Sequence, residues 1–363
     1  MSTQIGVTIG VELDAAGRHP AAWRLPGARP AELFTAAHWR RLAETVDAAD
    51  LDLLVVPDSF RLGSSDDRDQ RGRLDAVAVT ANLAPLTRRT GLVPVVTTTH
   101  TEPFHTQKAV ATLDFTSRGR AGWQVEVSTT PAEADLFGRK AAAAPEVLWR
   151  EAAETVEVVR RLWDSWEDDA VVKDLATGRF VDRDKLHYVD FAGENFSVKG
   201  PSITPRSPQG QPLVIVPVRD EPSLAVAAAH ADVARLEAHD VPTATRWAAG
   251  LEGTVLLDVE VLLRRDASEA QDVAAHLDEL SPGHGPRALR HVGTPASLVE
   301  LLRDLPQGVG GAVLVPLDLP ATLDLVASDV VPHLGREPFT GRTLRDRFGL
   351  PRPASRYAVE ATR

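Results

Sequence analysis

The chain alternates between short apolar runs and longer amphipathic stretches. Runs at 5–13, 51–57, 91–98, 121–128, 212–218, 232–237, 254–263 and 311–317 have the length and the aliphatic, β-branched composition of strands. Between them, apolar positions recur at helical spacing near 33–49, 75–89, 104–117, 145–166, 221–231, 240–250, 266–280 with 294–304, and 321–334. Eight strands, each followed by helical sequence, predict an α/β fold closed into a (β/α)8 TIM barrel rather than an open sheet. The run 232–237 is the least regular, because Arg235 and Glu237 interrupt it.

Two segments depart from the alternation. Residues 59–73 are polar and follow a strand's C-terminal end, where barrel active-site loops sit. Residues 167–211 form a long insertion before strand five. Its second half, 185–199, alternates about Ala192-Gly193-Glu194 and reads as a hairpin. Both segments are expected to shape a substrate pocket. The insertion is expected to cap or flank one domain spanning 1–363.

Strand period places the polar residues. Gln124, Glu126 and Ser128 share one face of strand four, with Trp123, Val125 and Val127 on the other. The same parity pairs Arg235 with Glu237 on strand six, and Asp258 with Glu260 on strand seven. The polar sets are expected to point into the barrel. Carboxylates there need partner cations, water or protons, since an isolated buried charge is very costly. Arg235 is the natural partner, and either a structural ion-pair network or chemistry accounts for the set. The densest polar cluster, Thr97 to His105, ends strand three. Its hydroxyls and imidazoles suit a ligand site or proton shuttle. They equally suit a helix entry at Thr101 or Glu102, with Pro103 in the first turn.

Composition narrows the function. The net charge of −11 comes with no basic block, which argues against a general nucleic-acid or anionic-membrane binder. The absence of cysteine excludes disulfides, thiol nucleophiles and thiolate metal sites. His100 with His105, and His284 with His291, make only a sparse metal pattern, so no metal site is expected. Trp163 and Trp166, at helical spacing, read as packing residues. No phosphate loop, Gly-x-Gly-x-x-Gly, His-Glu-x-x-His or Gly-x-Ser-x-Gly occurs. Met1-Ser2-Thr3-Gln4 has no charged leader region, and no apolar run of about 18 residues follows. A soluble, cytoplasmic protein is expected.

Several words of sequence, in order along nearly the whole chain, carry a resemblance. They are Ala22-Trp23-Arg24, Leu53-Leu54-Val55-Val56-Pro57-Asp58-Ser59, Glu102-Pro103-Phe104-His105, Gly119-Arg120-Ala121-Gly122-Trp123, and 162–170. Further on come 193–201, Pro205-Arg206-Ser207-Pro208-Gln209-Gly210, and 343–354. Together they resemble the bacterial-luciferase-like flavin monooxygenases, in the nitrilotriacetate, dibenzothiophene-sulfone and pristinamycin-synthase branch. The resemblance implies a two-component enzyme, homodimeric or heterodimeric. Such an enzyme takes reduced FMN from a separate flavin reductase and uses dioxygen to oxygenate a small organic substrate. It implies flavin contacts from Asp58 and from Thr97 or Thr98, with His100, His105 and Gln124 lining the reaction pocket.

The match also has gaps. The family's Asn after Gly-Trp is Gln124, and its His-x-x-x-Tyr pair falls on Pro145 and Trp149, where Trp149 could stack in place of the phenol. Its Gly-x-Ser phosphate loop falls on Val218-Arg219-Asp220, and the next family glycine on Ser223. Asp220 would place a carboxylate beside a phosphate, a repulsion of roughly 4 kcal/mol per charge pair at about 4 Å and a dielectric of 20. Arg219 could compensate. Strand seven has Leu257-Asp258 and Glu260 where the family favours Pro-Gly. The alternative implied by these departures is a flavin-free, non-catalytic paralogue acting as a partner subunit.

Overall fold

In the computed structural model, which describes residues 6–63 and 66–357, eight parallel strands close on themselves. They are β1 (Thr8–Glu12), β2 (Leu53–Val56), β3 (Gly91–Thr97), β4 (Gly122–Glu126), β5 (Leu213–Val218), β6 (Val233–Leu236), β7 (Thr254–Leu263) and β8 (Gly311–Pro316). Each pairs with the next, and Thr8 opposite Gly311 closes β1 onto β8. The expected barrel is therefore the observed one. Ile5 of the first expected strand, and Ser64 and Ser65 of the loop 59–73, lie outside the described residues.

Strand β7 has ten residues and outreaches its neighbours. Its outer half pairs with an additional strand, Leu289–Gly293, with Val259 opposite Leu289. That strand was not foreseen, because Arg290 and His291 break its apolar run. Helix Pro131–Phe137 was also missed, although Thr130-Pro131-Ala132-Glu133 spells a capping box that the structure forms.

The strands' two faces serve two cores. Leu53, Val55, Val93, Val95, Leu213, Ile215, Val233, Leu256 and Val313 fill the lower barrel interior, together with Leu344 and Phe348 from the C-terminal segment. The opposite faces pack on the helices. Trp123, for example, meets Trp163 of helix Pro145–Asp164 edge-on, with ring centroids 6.4 Å apart. Gly91 leaves room at the floor, since a Cβ there would collide with Leu344.

The insertion forms two small hairpins, Val171–Asp174 with Arg179–Val181, and Phe191–Ala192 with Ser197–Val198. The second is the hairpin expected at 185–199. Glu154 fixes its tip, accepting from the backbone N–H of Glu194 at 2.6 Å and of Asn195 at 3.1 Å. A helix that runs antiparallel to its strand returns the chain to the barrel's N-terminal face. The insertion is accordingly anchored there: Gln209 donates to the Ala121 carbonyl at the start of β4, and Arg206 to the Pro353 carbonyl. The expectation that 167–211 shapes the substrate pocket is thus corrected, because no residue of the insertion lines the cavity at the opposite end. No described helix is long and apolar enough to cross a membrane.

Candidate functional site

At the C-terminal ends of the strands lies an open cavity of about 560 Å³. Barrel strands put alternate side chains inward, and near this end the inward positions are charged or polar. Glu12 of β1, Gln124 and Glu126 of β4, Arg235 of β6, and Asp258 and Glu260 of β7 all line it, with Glu237 and Arg219 just beyond their strands. The inward orientation read from sequence holds for Gln124, Glu126, Arg235, Glu237, Asp258 and Glu260. Ser128 is buried away from the cavity.

Two arginines organise the inner part. Arg235, almost fully buried, donates to Asp258 Oδ1 at 2.6 Å, Glu12 Oε2 at 2.6 Å and Gln124 Oε1 at 2.8 Å. Burial opposes its charge, but Asp258 and Glu12 outweigh that and hold its pKa above the ordinary value. Burial likewise raises Glu12, yet Arg235 and Arg18 bring its carboxyl below the usual range. For Asp258 burial dominates and pushes the carboxyl up to about 7 despite Arg235. Arg219 grips Glu126 at 2.8 and 3.2 Å and Glu237 at 2.8 Å, and these carboxylates keep it charged against the cost of burial. Arg235 is thus the partner that the buried carboxylates required.

The remaining candidates divide between mouth and scaffold. Asp58 lines the cavity at the end of β2, and its carboxylate accepts from the backbone N–H of Ser59 at 2.7 Å and of Ala76 at 3.0 Å. Burial raises its pKa even so. Thr97 continues the inward face of Val93 and Val95, but it is buried and does not line the cavity, which corrects its expected flavin contact, and its hydroxyl has no hydrogen-bond partner among the described residues. Thr98 is spent on the backbone, its hydroxyl donating to the Glu126 carbonyl at 3.1 Å.

His100 and His105 do not line the cavity, which corrects their expected place in the reaction pocket. His100 stacks on Phe137 with centroids 4.6 Å apart, and partial burial followed by Lys140 lowers its pKa. His105 is exposed in the first turn of helix Pro103–Thr116, the helix entry that Pro103 had also suggested. Trp149 is buried in the outer core, so it stacks on no cavity ligand, and Pro145 begins its helix.

After β5, Val218 is buried and Asp220 caps helix Glu221–His230. Asp220 Oδ1 accepts from the Ser223 backbone N–H at 2.8 Å and hydroxyl at 2.5 Å. Ser223 Oγ in turn accepts from the N–H groups of Arg219 and Asp220, each at 3.0 Å. A helix start normally offers such N–H groups to an anion. Here the chain's own side chains occupy them.

Sequence reasoning missed Glu12, Arg18 and Arg287, which also line the cavity, and singled out Arg61 and Arg73 only as members of the loop 59–73. Glu12 carried a signal, a carboxylate in step with the inward face of an apolar strand. The arginines sit on irregular segments, where no period shows which way a side chain turns.

A closed parallel barrel with its charged cavity at the strands' C-terminal ends has the layout of barrel enzymes, whose ligands bind at that face. The family follows from sequence: the luciferase-like monooxygenase model matches residues 6–277, and the chain belongs to that family. The chain is 27% identical to N-acetyl-S-(2-succino)cysteine monooxygenase of Bacillus subtilis (strain 168), over 97% of this chain and 98% of that protein. It is 31% identical to one of the pristinamycin IIA synthase chains of Streptomyces pristinaespiralis, over 88% of this chain and 91% of that one. The structure of EDTA monooxygenase from Chelativorans sp. BNC1 superposes with a TM-score of 0.85 at 22% identity, over 96% of this chain and 99% of that one, a likeness of fold.

Proposed function

We propose that the chain is a flavin-dependent monooxygenase that takes reduced FMN from a separate reductase and uses dioxygen to oxygenate a small organic substrate. The observation that carries this reading is the cavity of about 560 Å³ at the catalytic end of a luciferase-like barrel, a size suited to a cofactor and small substrate. The residues fit the ring end of a flavin. Asp58, which lines the cavity and is fixed by two backbone N–H groups, would hold its polar edge. Reduced flavin, when bound, supplies the electrons for dioxygen activation. Gln124, itself held by Arg235, orients what lies against it, and Ser59, Arg61, Gln70 and Arg73 line the mouth beside Asp58.

The residues do not fit the phosphate end at the place the resemblance implies. Asp220 and Ser223 are spent on each other, Arg219 is held between Glu126 and Glu237, and Trp149 is buried elsewhere. That feature favours a second reading, a flavin-free paralogue that serves as the non-catalytic half of a dimer.

Anaerobic titration of the purified protein with reduced FMN, followed by calorimetry, separates the two. Saturable one-to-one binding at micromolar affinity is expected. No binding up to millimolar flavin would overturn the oxygenase reading for the isolated chain and leave the non-catalytic paralogue.

A further inference from the structure

The arginines of the mouth fall into two groups that differ in how their charge is answered. The inner pair, Arg235 and Arg219, is saturated by carboxylates at hydrogen-bond distance. The outer four, Arg18, Arg61, Arg73 and Arg287, line the same cavity without such partners. Arg18 stands 3.7 Å from Glu12 and 3.8 Å from Asp14, and Arg61 stands 3.7 Å from Glu133, all beyond hydrogen-bond reach. The guanidiniums of Arg73 and Arg287 make no hydrogen bond or ion pair with any described residue. Arg287 contributes only its backbone N–H, to Glu260 Oε1 at 3.0 Å.

These four come from the loops after β1 and β2 and from the segment just before the additional strand Leu289–Gly293, so distant parts of the chain bring them to one space. Like charges brought together repel, and with only longer ion pairs at Arg18 and Arg61 and none at Arg73 and Arg287, an anion in that space is favoured. The cost is visible at Arg287, whose pKa is drawn down to about 10, first by Arg18 and then by its own burial and Arg61. Of the other carboxylates lining the cavity, Asp66 is held by Arg68, Asp69 accepts from the Ser281 hydroxyl and Glu260 from Arg290, which leaves Asp14 and Asp58 facing the same space. Asp58 is spent on two backbone N–H groups, Asp14 stands 3.8 Å from Arg18, and Glu12, Glu126, Glu237 and Asp258 are already engaged by the inner pair.

We propose that Arg18, Arg61, Arg73 and Arg287 form an oxyanion subsite in the outer mouth, which takes a carboxylate or phosphate group of a small molecule. Guanidinium forks match both groups with paired N–H donors. The group has two sources, a carboxylate-bearing substrate or the phosphate tail of a flavin displaced from the occupied helix start after β5. The subsite stands on the arginines alone and does not depend on flavin binding.

The test is calorimetric titration of the full chain with propane-1,2,3-tricarboxylate and with inorganic phosphate, at ionic strength matched with sodium chloride. The side chains of Arg73 and Arg287 make no hydrogen bond or ion pair with any described residue, so Arg73→Gln and Arg287→Gln leave the fold intact, as melting curves will verify. Arg150→Gln, on an exposed helix position away from the cavity, is the control. Saturable binding of at least one probe is expected, weakened about tenfold or more in each mouth variant, the worth of one charge-assisted hydrogen bond, and unchanged in the control. If neither probe saturates, or if the mouth variants bind like the parent, the subsite is refuted. Competition then identifies the source. Displacement of the bound probe by FMN but not by riboflavin assigns the group to the flavin tail, and simultaneous binding of FMN and the tricarboxylate assigns it to the substrate.

Discussion

Asp258 shows how one buried carboxyl makes the whole protein sensitive to pH. Burial pushes it up to about 7 although Arg235 lies 2.6 Å away. A carboxyl whose pKa is higher folded than unfolded holds its proton more tightly in the fold. Its stabilising contribution is complete below the ordinary value of 3.8 and is lost as pH rises through about 7. Asp258→Asn is neutral throughout and still offers Arg235 Nε an oxygen, so it lacks that loss. Urea unfolding of the two proteins should show the variant gaining on the parent, by on the order of a few kcal/mol, between about pH 4 and pH 7. A constant difference across that window would mean that Asp258 is ionised throughout. The inward placement of Asp258 was legible in sequence, because strand parity fixes it with Glu260. Arg235 was legible too, as the natural cation for inward carboxylates, but Glu12, the second carboxylate that Arg235 holds, was brought there by barrel closure, which sets the register between strands far apart in sequence. His100 and His105 misled for the opposite reason. A dense polar cluster at a strand end looks like a site, whereas the helix that Pro103 begins carries His105 out to solvent.

Among the elements, the barrel was legible because eight runs of apolar residues with intervening helical periods leave little choice of architecture. The floor was not. Leu344 and Phe348 enter the interior from a four-residue helix, Leu344–Arg347, too short to show a period. Arg347 pins that helix by its bonds to Asp50, at 2.8 Å, and Asp52, and the Leu344 N–H donates to the Gly119 carbonyl at 2.8 Å. The plug seats only because Gly91 has no side chain. Gly91→Ala should therefore unseat Leu344 and destabilise by about 1–3 kcal/mol, the usual cost of overpacking a core. Gly91→Ala combined with Leu344→Ala should be no less stable than Leu344→Ala alone, since the smaller side chain relieves the collision. Additive losses in denaturant melts would show that the two positions do not meet.

On the scale of the molecule, the two barrel ends divide labour. The C-terminal mouth gathers charge, while the N-terminal face is sealed by the insertion 167–211 and the C-terminal segment. Arg206 joins these two seals. Its side chain, 1% exposed, donates to Asp164 at 3.1 and 3.2 Å, to Asp168 at 3.1 and 3.2 Å, and to the Pro353 carbonyl at 2.6 Å. Arg352 reaches Asp168 from the tail at 2.5 Å, and together the two arginines hold its carboxyl at about 2. Removing one partner of a buried pair leaves an uncompensated charge, so Arg206→Ala should cost about 3–5 kcal/mol of stability. The cavity lies at the other end, and no residue of the insertion lines it. Below the variant's melting temperature, its titrations with reduced FMN and with the tricarboxylate should therefore match those of the parent. A loss of stability with unchanged binding separates scaffold from site. A weakened titration at unchanged temperature would show instead that the seal at one end of the barrel sets the geometry of the mouth at the other.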